Sequence, residues 1–184
     1  MRKLIVVITA ALMFMSLGRA ALAEETVCRG TIGATTVDNL KVPKGATCTL
    51  EGTTVKGTVK VKGNAVLMAI DVVVIGNVQG ENASNVVVRG ASSVGGNVQV
   101  VQGGRGKVVN SRVGGDILFD EQDGRVAVKN SLIGGDVQAF QNNGGVVIQN
   151  NLIGGNLQCK ANQPHPTGGA NSVGGNKEDQ CENL

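Results

Sequence analysis

The sequence predicts an all-β chain folded as a parallel β-solenoid, and three observations predict it. A five-residue pattern, Val/Ile-x-Gly-Asn/Asp-Val/Ile/Leu, returns at near-constant spacing along most of the chain. Apolar and polar residues alternate through and beyond each copy, the period of a half-buried strand. Aromatic residues are scarce, with no Trp, no Tyr and three Phe among 184 residues. A globule of this size usually fills its core with larger side chains, whereas columns of small aliphatics suit stacked coils.

Residues 1–23 stand apart from this pattern. Met1-Arg2-Lys3 is basic, Leu4 to Leu17 is apolar and uncharged, and Ala21-Leu22-Ala23 places small residues at the −3 and −1 positions before Glu24. That is the three-part pattern of a secretory signal peptide. The apolar run is shorter than the roughly 20 residues that span a bilayer. No Cys follows it at lipoprotein spacing. The expectation is an exported chain, secreted or periplasmic, with no transmembrane anchor after cleavage and residues 24–184 forming one solenoid domain.

Charge supports the same division. The whole chain carries 17 Lys+Arg against 14 Asp+Glu. Arg2, Lys3 and Arg19 fall within the leader, so residues 24–184 are formally neutral. A neutral domain lacks the concentrated basic footprint of nucleic-acid binding, and no nucleic-acid partner is expected. Lys41, Lys44, Lys56, Lys60 and Lys62 against Glu51 form a local excess that reads as a solvated face.

The repeat begins near Val37 and runs to Asn176. A degenerate copy, Val55-Lys56-Gly57-Thr58-Val59, is followed by copies starting at Val74, Val94, Val113, Ile133, Ile153 and Val173, in steps of 19, 20, 19, 20, 20 and 20 residues. Val55 through Val173 form one apolar column. Val59, Val78, Val98, Ile117, Val137 and Leu157 form a second, and Val61, Val100, Phe119, Ala139 and Cys159 mostly fill a third. Asn77, Asn97, Asp116, Asp136, Asn156 and Asn176 form a polar column, followed by Gln79, Gln99, Gln138 and Gln158. Such short strands, with no room for crossover helices, stack as coils about 4.8 Å apart. The count is about seven coils of some 20 residues. The Gly-Gly pairs mark a bend between faces, where side chains would clash or a positive φ is needed.

Four Cys in an exported chain imply two disulfides. Cys28 and Cys48 lie 20 residues apart and Cys159 and Cys181 lie 22 apart, each about one coil. Adjacent coils bring such positions within disulfide reach, whereas cross-pairing would span the stack. The expected bonds are Cys28–Cys48 and Cys159–Cys181, one at each end. At the C-terminal end the second apolar column stops at Lys177, acids follow at Glu178, Asp179 and Glu182, and Pro164 and Pro166 interrupt the last strand. These read as a cap against edge-to-edge association.

Val42-Pro43-x-Gly45-x-x-Cys48-x-Leu50, together with Ile153-Gly154-Gly155-Asn156-Leu157-Gln158-Cys159-Lys160 and Asn171-x-Val173-Gly174-Gly175-Asn176-Lys177-Glu178-Asp179-Gln180-Cys181, resembles a widespread group of uncharacterised exported bacterial repeat proteins. The resemblance covers essentially all of residues 24–184. It implies a right-handed parallel β-helix and no particular activity. A looser likeness, in architecture only, is to the polymer-forming bactofilins.

Candidate chemistry is sparse. Asp116 and Asp136 should stack about 5 Å apart and could invite a cation, but the Asn residues of the same column favour a structural ladder. His165 is the single histidine, on a Pro-rich turn. With the cysteines oxidised, no triad, thiol dyad or zinc set can be assembled, and no catalytic, cofactor or metal residue is assigned. Asp120, Glu121 and Asp123 beside Gln122 could form a carboxylate pair, although a solvated turn is the plainer reading. Phe140 is the one aromatic expected to face outward. Thr53, Thr54 and Thr58 are too few for an ice-binding ladder. The expected role is a non-catalytic structural or interaction module, with a protein or envelope polysaccharide partner and scope for self-association. The alternative is a carbohydrate-active or carbohydrate-binding β-helix.

Overall fold

The computed structural model describes residues 24–184. The leader assigned to residues 1–23 lies outside the described residues. Residues 24–184 wind through 25 short strands that fall into three parallel sheets of nine, eight and eight strands. Every third strand joins the same sheet, so each coil contributes one strand to each face of a three-sided solenoid.

Eight coils and one further strand are present. The additional coil lies at the N-terminal end, before the first recognisable motif. It is short: Glu25 pairs with Asn39, a step of 14 residues, whereas Val78 pairs with Val98. Its corner reads Val37-Asp38-Asn39-Leu40, one residue shorter than later copies and without their glycine. A motif search therefore misses it, although its strands pair as the others do.

The columns read from the sequence are observed in register. Val59, Val78, Val98, Ile117, Val137 and Leu157 pair in succession along the first sheet, and all are buried. Val55, Val74, Val94, Val113, Ile133 and Ile153 do so on the third. The second sheet carries the remaining inward positions, including Leu67, Val86, Val108, Val128 and Ile148. Its strands lack the motif, so the third face of the coil was not visible in the repeat.

One irregularity crosses the core. Phe119, on the first sheet, is the largest fully buried side chain. It belongs to a column filled, from Val42 to Cys159, by Val, Gly, Ala or Cys elsewhere. Opposite it, on the second sheet, Gly106 pairs with Val86 and Val126. A Cβ at Gly106 would collide with the Phe119 ring. The ring thus occupies the space that a Val fills in the coils on either side, and the glycine makes room for it.

The glycine pairs of the repeat are explained by close approach. None of Gly134, Gly135, Gly154 or Gly155 has positive φ. A Cβ on Gly134 would strike the Gly114 carbonyl oxygen of the preceding coil, and one on Gly135 would strike Asp116 Oδ1. Of the two reasons the sequence offered, steric contact between stacked corners is the operative one. Positive φ is used at the other two corners instead, for example at Glu121 and Gln141 and at Asn110, Asn130 and Asn150.

Candidate functional site

The Asn/Asp column lies at the corner between the third and first sheets. Each side chain there reaches toward the next coil. The Asn97 amide donates to Asn77 Oδ1 at 2.8 Å, and the Asp116 amide to Asn97 Oδ1 at 2.9 Å. The Asp136 amide donates to Asp116 Oδ1 at 2.8 Å, Asn156 to Asp136 Oδ1 at 2.6 Å, and Asn176 to Asn156 Oδ1 at 2.8 Å. Asp and Asn present the same acceptor, which is why either residue fits the column. The ladder continues above, where the Thr58 amide bonds Asn39 Oδ1. Asp116 and Asp136 are thus joined to backbone amides in the same way as their Asn neighbours.

A prediction follows from that equivalence. The double variant Asp116→Asn/Asp136→Asn keeps every ladder acceptor and removes one like-charge pair. It should melt at the wild-type temperature or slightly above, a gain of a few tenths of a kcal/mol. Calcium should shift neither protein's Tm; a wild-type Tm that calcium raises and the double variant loses would identify a cation site.

The acids of residues 120–123 lie at the corner between the first and second sheets. Glu121 and Asp123 are exposed, while the intervening Gln122 is fully buried. Gln122 Nε2 donates to the Val100 carbonyl at 3.0 Å and to the Asp120 carbonyl at 2.7 Å, pinning the turn from inside. The residues singled out by sequence are brought together here. Asp120 pairs with Phe140, which pairs with Lys160, and these three line a shallow concavity with Gln141 and Ala161. The concavity continues past Glu121, Asp123 and Asn143.

Asp120 is a perturbed titratable group. Burial raises its pKa above the ordinary 3.8, and the neighbouring Glu121 charge raises it further. Interactions with the Gln141 side chain and the Glu121 backbone act in the opposite sense. Its Oδ1 is buried without a hydrogen-bond partner. A carboxyl whose folded pKa exceeds its unfolded value destabilises the fold once it ionises, and that penalty is relieved as pH falls through the raised pKa. Asp120→Asn should therefore raise Tm at pH 7. The gain should vanish in acid below the ordinary carboxylate range, as Tm measured against pH for the two proteins will test.

The remaining residues fall into simpler places. Cys28–Cys48 and Cys159–Cys181 are disulfide-bonded, with Cα separations of 5.6 and 5.2 Å. Neither pair sits in strict register: Cys48 pairs with Gly30 and Cys159 with Asp179, so each partner lies two residues along the neighbouring coil. His165 is exposed on its turn. Thr53 is fully buried, its hydroxyl donating to the Ile32 and Gly33 carbonyls, so it cannot belong to a surface threonine ladder. Three of the five early lysines are ion-paired: Lys41 with Glu25, Lys56 with Asp38 and Lys62 with Glu81.

Two features escaped the sequence reading. Buried polar ladders support the other two corners. Gln122, Asn142, Asn162 and Gln180 form one, in which Asn142 donates both its amide N–H and its Nδ2 to Asn162 Oδ1. Ser111, Ser131, Asn151 and Asn171 form the other. Their recurrence at about 20 residues was the available signal, obscured because Ser, Gln and Asn share the columns and the last step, Asn162 to Gln180, is 18 residues. The second feature is charge. Arg89, Arg105, Lys107, Arg125 and Lys129 cluster on three successive coils of the second sheet, and none has an ion-pair partner among the described residues.

Comparison with protein-family models, with curated proteins and with solved structures finds no match.

Proposed function

We propose that this protein is an exported, non-catalytic β-solenoid that works as a structural or interaction module of the cell envelope or surface. One observation carries the reading. The most regular polar feature of the chain, the Asn/Asp column, engages its side-chain oxygens in coil-to-coil hydrogen bonds rather than presenting them to a ligand. Rigidity is what such a ladder provides. All four cysteines are in disulfides, which is compatible with an oxidising compartment. The likeness to exported bacterial repeat proteins belongs to the same reading.

A carbohydrate-active role is the second reading, favoured by one specific arrangement: the raised-pKa Asp120 beside the outward Phe140, with Glu121 at the same corner. Against it, the concavity is shallow and open, and its acids sit on a turn held from inside for structural reasons. Incubation with a panel of neutral and acidic polysaccharides separates the two. Retention without new reducing ends supports the module. Chain cleavage that Asp120→Asn abolishes overturns it in favour of an enzyme.

A further inference from the structure

The cationic cluster on the second sheet has no structural use. The strands Asn85–Arg89, Arg105–Val109 and Val126–Lys129 run side by side. Val86, Val88, Val108, Val126 and Val128 point into the core, which turns Arg89, Arg105, Lys107 and Lys129 outward. Gly124 donates its amide to the Gly104 carbonyl, so Arg125 stacks directly on Arg105 one coil away. That is a spacing of about 4.8 Å at the backbone. Arg105 and Lys107 lie two residues apart on one strand, roughly 7 Å, and Arg89 and Lys129 are two coils apart in one column, roughly 10 Å.

Like charges directly opposite each other across strands destabilise a sheet. The rest of the chain had the means to avoid this, because residues 24–184 hold as many acids as bases. The acids go elsewhere. Glu51 is the one acid at an outward position of this sheet's strands, two strands above Arg89 in the same column. Asp123 and Asp71 stand at the two adjoining corners, Asp71 beside Arg89, and none of these three acids forms an ion pair among the described residues. Three of the five early lysines, by contrast, find carboxylates. Of the five arginines of residues 24–184, three, Arg89, Arg105 and Arg125, lie on this strip. Arginine's planar fork binds carboxylate and sulfate through paired hydrogen bonds, which lysine cannot reproduce.

We propose that this basic strip on the second sheet is a docking surface for a linear acidic polysaccharide. The inference rests on the interaction-module reading and names its partner class. A polyanion fits because the cations form a strip three coils deep rather than a single pocket. A polysaccharide fits better than a nucleic acid because no aromatic side chain lies on this sheet to stack a base, Phe119 being buried and Phe140 on the first sheet. Val87 and Ala127 flank Lys107 in the same outward column, and as small, nearly buried side chains they do not project beyond the cations.

The test compares two double variants that change net charge equally. Arg105→Gln/Lys107→Gln removes the centre of the strip, and Lys44→Gln/Lys60→Gln removes two cations outside the second sheet. Circular dichroism and Tm establish that both fold. Binding to polygalacturonate is measured at low and moderate salt, with neutral dextran, single-stranded DNA and phosphatidylglycerol vesicles as further arms. Wild type should bind polygalacturonate in a salt-sensitive manner and should not bind dextran. The Arg105/Lys107 variant should lose about tenfold or more in affinity, the equivalent of one charge-assisted contact. The Lys44/Lys60 variant should stay within about twofold, because screening isolates exposed charges on different faces. Absent binding, equal losses in both variants, or equal or tighter binding to DNA or vesicles would each overturn the proposal. None of those results would touch the non-catalytic reading, which falls only if the polysaccharide is cleaved.

Discussion

Truncating Phe119 to alanine is expected to destabilise the solenoid by about 3–5 kcal/mol, the largest effect of any single core change. The ring is fully buried among small aliphatics that are fixed by backbone pairing above and below. Strands held in a ladder cannot collapse freely into the space it leaves, which places the cost toward the upper end of the range. The complementary change tests the packing argument. Gly106→Val places a branched side chain where the Phe119 ring lies, and overpacking of this kind costs about 1–3 kcal/mol. The double variant Phe119→Ala/Gly106→Val moves the lost volume from one sheet to the other. It should be more stable than the sum of the single changes by about 1 kcal/mol or more. Urea unfolding of the four proteins measures this directly; strict additivity would mean that the two residues do not share one space.

That pair also marks where the sequence was legible and where it was not. The apolar columns, the strand period and the parallel stacking could be read because each coil repeats them, and Phe119 was placed in its column by spacing alone. Its partner could not be. Gly106 lies on the second sheet, whose strands follow no motif, and nothing in a linear repeat indicates that a ring from one face reaches the next. The Asn/Asp column was read as a structural ladder because Asn and Asp interchange freely within it, and the observed amide bonds explain that tolerance. The first coil was missed because its corner is one residue short. The disulfide pairs followed from their spacing, yet the bonded residues are offset by two from register, so the spacing succeeded through the reach of a cystine bridge rather than through strict equivalence. The basic strip was hidden for a different reason. Arg89, Arg105, Lys107, Arg125 and Lys129 are scattered over 41 residues, and only the coil brings them together.

Removing the C-terminal bridge with Cys159→Ser/Cys181→Ser should cost about 3 kcal/mol, the chain-entropy value for a loop of this length. The loss should not be uniform. In a solenoid each coil is stabilised by its neighbours, so a terminal coil has one interface where an internal coil has two. The segment Lys177–Asp179 forms the last strand of the first sheet, and beyond it Gln180 Oε1 accepts from the Asn162 amide at 2.8 Å. That contact terminates the buried Gln122–Asn142–Asn162 ladder. Without the bridge the final turn separates first, the ladder loses its last acceptor, and the amide of Asn162 is left to water or to nothing. Hydrogen exchange should therefore show protection falling most from about Leu157 onward and little change before Val113. Cys28→Ser/Cys48→Ser should produce the mirror gradient from the other end. Loss of protection spread evenly over all coils in either variant would mean that the solenoid unfolds as one cooperative unit, and that the bridges act on the unfolded chain alone.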